Sequence, residues 1–394
     1  MGSPGVLAAL ELLQGEDFPV RVWEKELLAA RVDDYEREWL DRLGLSGEIV
    51  WTPFERREGR VGMALRENVG WLREGAPAPA EIEARTKNVF LHLQLRGASF
   101  AQDLTRSTGL TAPEVLAALW RLFWAGLVTP DTFSAIVAGT ATTTRPAAAP
   151  AARRRRRGLA RGVMRQLPVI GRWSVLSEED RLSPEDDQEA RARLLLSRYG
   201  VVARELAQGD WSTLRHTLLR MEYGGEIVRG YFVEGLSGEQ YALADALGEL
   251  DAPARRAEPH ALVNMVDPAN LWGRVFALVR RDGSRATAPR LSQNWLVFRH
   301  GRPIVLAEGQ GRKLTPLAGW EDVDFPGAIG ALRALMERPL ALRPIRRLEV
   351  STWDGRPVRE TEAFPALARA GFTVDGGRLS WDGHPGPRAW QRSC

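Results

Sequence analysis

Lysine is almost missing from this chain. Lys25, Lys87 and Lys313 are the only lysines among 54 basic side chains, so its positive charge is arginine. Cysteine is scarcer still. Cys394 stands alone, which excludes a disulfide within the chain and a thiolate metal site, and fits a reducing compartment. The five histidines (His92, His216, His260, His300 and His384) are scattered without ligand spacing, so no metal is expected. No apolar run reaches the roughly 18–20 residues of a membrane span, and Met1–Pro4 lack the charged start of a signal peptide. Motor chemistry is absent as well. No glycine-rich phosphate loop of the G-x-x-x-x-G-K-[ST] type occurs. The nearest run, Gly309 to Lys313, has the wrong spacing and no hydroxyl after its lysine. No strand ends in paired acids that would hold magnesium for ATP, and no G-x-S-x-G elbow is present. The expectation is a chain without cofactor or ATPase motor, cytoplasmic and nucleoid-associated, making no membrane contact.

What remains is ample for folding. The chain has 394 residues, 44% hydrophobic, enough for two to four domains. Its net charge is only +4 although its pI is about 9.5. Arginine suits phosphate because its planar fork donates two hydrogen bonds at once, although a GC-rich genome would produce the same bias. The chain opens almost directly on a helical pattern, which reads as a piece of something longer.

The apolar spacing divides the chain. Residues 1–78 show helical periodicity through Leu10, Trp23, Leu27 and Leu40, and then a strand at Glu48–Trp51. Helices followed by a strand are the order of a winged helix. Residues 79–139 repeat it. A short helix from Phe100 and a turn at Thr108-Gly109-Leu110 precede a helix capped by Thr111, with Glu114 at the capping-box position. On that helix Trp120 and Trp124 share a face and read as core rather than as a stacking platform. Residues 140–187 change character to an Ala/Thr/Pro-rich linker, a run of arginines, then seven acids between Glu178 and Glu189. Residues 188–255 are the clearest winged helix, with strands expected at Ile227–Glu234 and Gln240–Leu243 around a glycine turn. Residues 256–394 turn to strands, and an α+β, barrel-like terminal domain is expected. The fold class is therefore α+β and multidomain, tandem winged helices followed by a β-rich domain.

Candidate contacts with nucleic acid come from charge. Arg153, Arg154, Arg155, Arg156 and Arg157 are consecutive and Arg161 follows, with no acid between them. Such a run neutralises backbone phosphates without reading sequence, or forms a loop that offsets the acids after it. Thr213, Arg215, His216 and Arg220 fall on the exposed side of the third recognition helix, and Arg229 in its wing, suited to straddling a groove. Winged helices also serve as scaffolds that dock a protein. Asp267-Pro268-Ala269-Asn270 reads as a turn that could line a cleft. Asp375 and Asp382 are late acids able to act on water, although Asp382-Gly383 reads as a turn.

Several runs resemble the C-terminal region of the bacterial large helicase-related protein family, Lhr. They are Gly171-Arg172-Trp173-Ser174, Ser197-Arg198-Tyr199-Gly200-Val201-Val202-Ala203-Arg204-Glu205, Arg229-Gly230-Tyr231-Phe232-Val233-Glu234-Gly235-Leu236 and Gln240-Tyr241-Ala242-Leu243. Asp267-Pro268-Ala269-Asn270 closes the set, with Leu271-Trp272-Gly273 where the family has Pro-Tyr-Gly. Gly97–Phe100 and Leu119-Trp120 extend the likeness loosely toward the N-terminus. The resemblance implies a DNA-binding region, single-stranded or duplex, of a repair helicase. Its 3′-to-5′ motor would be fused to this region or supplied in trans. The arrangement is also similar to tandem winged-helix DNA glycosylases, whose Gln-x-Gln motif is not matched at Gln94, where Leu95-Arg96 follows. A metal-free glycosylase acting on uracil or an alkylated base is the alternative the family implies, with Asp382 as the late carboxylate.

Overall fold

The structure is a computed structural model and describes residues 2–57, 59–73, 83–143, 171–176, 182–207, 209–251 and 260–383. It divides into two units: Met1–Glu24 with Leu28–Leu194, and Lys25–Leu27 with Leu195–Cys394.

Three times along the chain the same small sheet forms behind a set of helices. In the first repeat α1 (Ser3–Leu13) precedes β1 (Phe18–Pro19). Next, α2 (Val20–Val22) runs into a π-helical stretch, Trp23–Leu28, and then come α3 (Arg37–Ser46), β2 (Ile49–Thr52) and β3 (Arg60–Leu65). A short turn α4 (Val69–Leu72) follows. The second repeat is α5 (Ala84–Arg96), β4 (Ser99–Phe100), α6 (Ala101–Thr108), α7 (Ala112–Trp124) and β5 (Val128–Pro130), with α8 (Phe133–Thr143) before the closing strand β6 (Arg172–Val175). The third is α9 (Pro184–Tyr199), β7 (Val201–Val202), a single 3-10 turn at Arg204–Leu206, α10 (Trp211–Tyr223), β8 (Ile227–Gly230) and β9 (Gln240–Leu243). Each sheet has three strands in the order first, third, second: β1-β3-β2, β4-β6-β5 and β7-β9-β8. All their pairings are antiparallel, so each repeat is a helix-turn-helix backed by a two-stranded wing.

The closing strand of the second repeat lies where the sequence suggests linker. Within 140–187, Arg172–Val175 pairs with both β4 and β5, and buries Trp173 against Trp120 and Phe123. A four-residue strand between a low-complexity stretch and an acidic run carries too little periodicity to be seen alone. The wing strand expected at Ile227–Glu234 is shorter, ending at Gly230, because the Gln240 amide accepts the N–H groups of Phe232 and Val233 and replaces the ladder there.

Local chemistry explains the helix starts. The Glu114 carboxylate accepts the backbone N–H of Thr111 at 2.9 Å and its hydroxyl at 2.7 Å, the capping arrangement expected from the sequence. Glu185, Asp186 and Asp187 fill the first turn of α9, where carboxylates meet the positive end of the helix, and Ser183 bonds Asp186 there. Much of the acidic run is thus a helix N-terminus. In α8 a Cβ on Gly139 would lie 1.8 Å from Cζ2 of Trp120. Gly139→Ala should therefore displace that ring and its edge contacts with Trp173 and Phe123, costing roughly 1–3 kcal/mol. Denaturant unfolding at unchanged parent stability would refute this packing.

After α11 (Ala244–Asp251), the terminal domain opens with β10 (His260–Asn264), β11 (Leu278–Val279), β12 (Arg285–Ala286), β13 (Trp295–Arg299), β14 (Arg302–Glu308) and β15 (Lys313–Pro316). Helix α12 (Phe325–Glu337) separates these from β16 (Leu348–Val350), β17 (Thr352–Trp353) and β18 (Arg356–Pro357). Helix α13 (Ala363–Arg369), β19 (Thr373–Asp375) and β20 (Arg378–Trp381) complete it. The main sheet has six strands, β10-β13-β14-β15-β17-β18, and a smaller one runs β16-β20-β19. The six-stranded sheet is open, with β10 and β18 at its edges, so the expected barrel-like domain is an open sheet rather than a closed barrel. α12 covers it, burying Ile329, Leu332 and Leu335 with Trp295, Trp320 and Trp353 in one core.

Candidate nucleic-acid interface

Each winged helix offers a recognition helix, but the three are not equivalent. In the first, Asp41 of α3 accepts the N–H of Phe133 at 2.7 Å and the hydroxyl of Ser134 at 3.0 Å, so α3 caps α8. Gly44 is packed so closely that a Cβ there would lie 2.6 Å from the Asp131 carbonyl oxygen. Part of α3 is therefore an internal contact. In the second, Pro113 and Ala117 of α7 face solvent and Arg121 pairs with Glu83. Trp120 and Trp124 of α7 are half-buried, with ring centroids 6.3 Å apart. α10 has a different surface.

Helix α10 starts at Asp210, whose carboxylate accepts Ser212 N–H at 3.0 Å and the Thr213 hydroxyl at 2.6 Å. The Thr213 and Ser212 hydrogen bonds hold that carboxyl below its usual range. Leu214, Thr217, Leu218 and Met221 turn inward. His216 and Tyr223, seven residues apart and so two turns along one face, turn outward with Arg220. Tyr223 is 86% exposed, and Tyr231, just past the first wing strand, is 83% exposed.

The arginines expected to grip phosphate are placed differently from one another. Arg215 on α10 bonds Glu239 in the wing. Arg229 on β8 pairs with Glu222 at 3.2 Å and with Glu239 at 3.3 Å. The four side chains form a chain of alternating sign that ties recognition helix to wing and carries no net charge. Bonding to Arg215 pulls the Glu239 carboxyl below its usual range and raises the Arg215 guanidinium in turn. Thr213 is engaged in the cap, whereas His216 and Arg220 are exposed on the outer face. Arg153 to Arg157 and Arg161 lie outside the described residues. Sequence reasoning missed Tyr223, whose seven-residue spacing from His216 was the available signal.

Other candidates resolve on geometry. Asp267 and Asn270 are buried and make the turn: Asp267 accepts Ala269 N–H at 2.8 Å, and Asn270 accepts Trp272 N–H at 3.1 Å. Asp382 is exposed, directly after β20. Glu26, which groups with the second unit, is buried and accepts Nε1 of Trp295 at 3.0 Å, and burial pushes its carboxyl up to about 7. A cleft of about 530 Å³ lined by Leu196, Tyr199, Gly200, Leu243 and Asp245 holds no arginine and is poorly suited to phosphate. Among the described residues, no three His, Cys, Asp or Glu side chains group as metal ligands, and no helix is long and apolar enough to cross a membrane.

With this geometry in hand, the chain can be set beside known proteins. Residues 1–66 match the third winged-helix domain of the large helicase-related protein, and residues 181–262 match the fourth. The chain is 29% identical, over 96% of its length, to the Lhr helicase/uracil glycosylase of Escherichia coli (strain K12), of which it covers 26%. It is 34% identical, over 85% of its length, to the Lhr helicase/probable uracil glycosylase of Mycolicibacterium smegmatis (strain ATCC 700084 / mc(2)155), of which it covers 24%. The chain thus spans about a quarter of the length of these curated relatives. Two winged-helix matches in the family's own order, and similarity along most of the chain, place it in the large helicase-related family as the region carrying the third and fourth winged helices.

Proposed function

We propose that this chain is a DNA-binding region of an Lhr-type repair helicase whose motor is fused elsewhere or supplied in trans. The observation that carries the reading is the outer face of α10 and its wing. There His216, Arg220, Tyr223 and Tyr231 stand exposed on a helix-turn-helix whose neighbouring ion pairs are balanced. Balanced charge weakens attraction to a duplex backbone, and bare aromatic rings favour unpaired bases, so single-stranded DNA is the preferred partner. Fluorescence anisotropy with single-stranded and duplex DNA across a salt series tests this. Binding that favours the single strand and weakens with salt is expected. Failure to bind either at low salt would move the winged helices to a protein-docking role.

A second reading rests on the two relatives named as a uracil glycosylase and a probable one. In it the chain excises a base without metal, and Asp382 orients the attacking water. Incubation with uracil-containing DNA followed by alkali is expected to give strand scission that Asp382→Asn abolishes. Absence of scission, or its survival in the variant, removes Asp382 from that role.

A further inference from the structure

Three arginines of the terminal domain converge on a single carboxylate. Nε of Arg312 lies 3.7 Å from Oε2 of Glu349, Nη1 of Arg378 lies 3.2 Å from the same oxygen, and Nη1 of Arg347 lies 3.8 Å from Oε1. They come from three separate segments: the residue before β15, the residue before β16 and the first residue of β20. Glu349 is the middle residue of β16, and its Cα partner across the sheet is Ser380. Arg347 also bonds Asp375 and the Ser380 hydroxyl, both at 2.6 Å. Arg359 donates to the carbonyl of Gly376, in the hairpin turn between Asp375 and Arg378. Arg346, next in sequence to Arg347, is exposed.

This cluster differs in kind from the wing network. There, two arginines meet two glutamates at hydrogen-bonding separations. Here the guanidiniums outnumber their acids, and two of the three separations from Glu349 are too long for a hydrogen bond. Each guanidinium carries five donors in a fixed fork, and one carboxylate cannot occupy three forks. Side-chain exposures of 56% for Arg312, 43% for Arg347 and 54% for Arg378 leave the remaining donors facing solvent. Three guanidiniums against the carboxylates of Glu349 and Asp375 leave positive charge in excess, which an added anion would neutralise. Phosphate matches the fork geometry, and arginines drawn from several strands across an open surface suit an extended polyanion better than one small ligand. Asp382 follows Trp381 directly, and Trp381 pairs with Leu348, the residue after Arg347. The cluster therefore flanks the end of β20.

We propose that Arg312, Arg347 and Arg378 form a phosphate-binding cluster on the terminal domain for the backbone of a nucleic acid. Glu349 occupies these guanidiniums in the unbound chain, and an incoming phosphate displaces it. This goes beyond the winged-helix reading, since it assigns a separate contact on a different fold.

The test uses the full chain and a fluorescein-labelled mixed-sequence strand, alone and as a duplex, titrated over a salt series. Arg312→Ala/Arg347→Ala/Arg378→Ala is expected to weaken binding and to flatten the salt slope on duplex by roughly 0.9 for each guanidinium that neutralised a phosphate. Glu349→Gln removes the competing carboxylate and is expected to tighten binding severalfold, an effect that loss of structure cannot imitate. The charge-matched control Arg281→Ala/Arg285→Ala/Arg302→Ala should leave the slope near that of the parent. A triple variant that follows the control, or a Glu349→Gln chain that binds no tighter, would overturn the proposal. The winged-helix reading fails separately, on substitutions at Tyr223 and Tyr231 that leave this cluster intact.

Discussion

Single-stranded DNA binding is expected to weaken by roughly 1–3 kcal/mol for each ring removed when Tyr223 and Tyr231 are replaced by alanine, up to about a hundredfold per tyrosine. Rings as exposed as these, at 86% and 83%, gain little from the protein's own packing, so their loss should cost little stability. What they offer is a π-face, which stacks on an unpaired base of any identity. Tyr223 ends α10 beside Glu222, and Glu222 holds Arg229, two residues before Tyr231. The ion-pair chain thereby fixes the helix end and the wing that present the two rings. Duplex binding should fall less, because paired bases hide their faces. The salt slope should stay unchanged, because no phosphate contact is lost. Tyr→Phe at both positions should retain the affinity. Anisotropy in which the alanine pair weakens strand and duplex alike, with a flatter slope, would show that these residues serve the backbone rather than the bases.

This interface was legible in the sequence only in part. The repeat of helices and wings could be read because α1, α7 and α10 keep an apolar stripe at helical spacing, and because Thr111-x-x-Glu114 announces a helix start. The outward face of α10 followed from the same periodicity, which placed His216 and Arg220 correctly in solvent. The balancing of charge was not legible. Arg215 meets Glu239 across 24 residues through the packing of α10 on the wing, and Arg229 meets it across 10 through the register of β8 on β9. A residue list shows cations; only the fold shows which of them already have anions. The same limit hid the terminal-domain cluster, whose arginines lie far apart in the chain: Arg347 and Arg378 meet through the pairing of β16 with β20, and Arg312 comes from beside β15 in the other sheet. The strand at Arg172–Val175 was lost for another reason. It completes a sheet whose other members, Ser99–Phe100 and Val128–Pro130, ended well before it in the chain, and such separations leave no local trace.

The first winged helix should lose stability as pH rises from acid to neutral, the reverse of common acid denaturation, through Asp17. Asp17 is 3% exposed, and its carboxylate accepts the backbone N–H groups of Phe54 at 3.0 Å and Glu55 at 2.8 Å. Those bonds pin the loop between β2 and β3. The site is tightly closed, since a Cβ on Gly62 would lie 2.7 Å from Oδ1 of Asp17. Burial opposes the charged form more strongly than the two N–H groups and nearby Arg60 favour it, and the carboxyl rises from 3.8 to about 6. A raised folded-state pKa means that the folded chain binds the proton more tightly than the unfolded chain does. The linked stability is therefore complete below about pH 3.8 and is lost as pH climbs through about 6. At 1.36 kcal/mol per unit the loss is roughly 3 kcal/mol. Asp17→Ala removes the titrating group and leaves the buried Phe54 N–H and the partly buried Glu55 N–H without their acceptor. The variant is thus less stable than its parent throughout, and by more at pH 4 than at pH 7.5. Urea unfolding of both proteins at those two pH values reads the difference directly. A parent advantage that grows toward neutral pH would mean that the loop N–H groups outweigh burial and that Asp17 holds its charge in the fold.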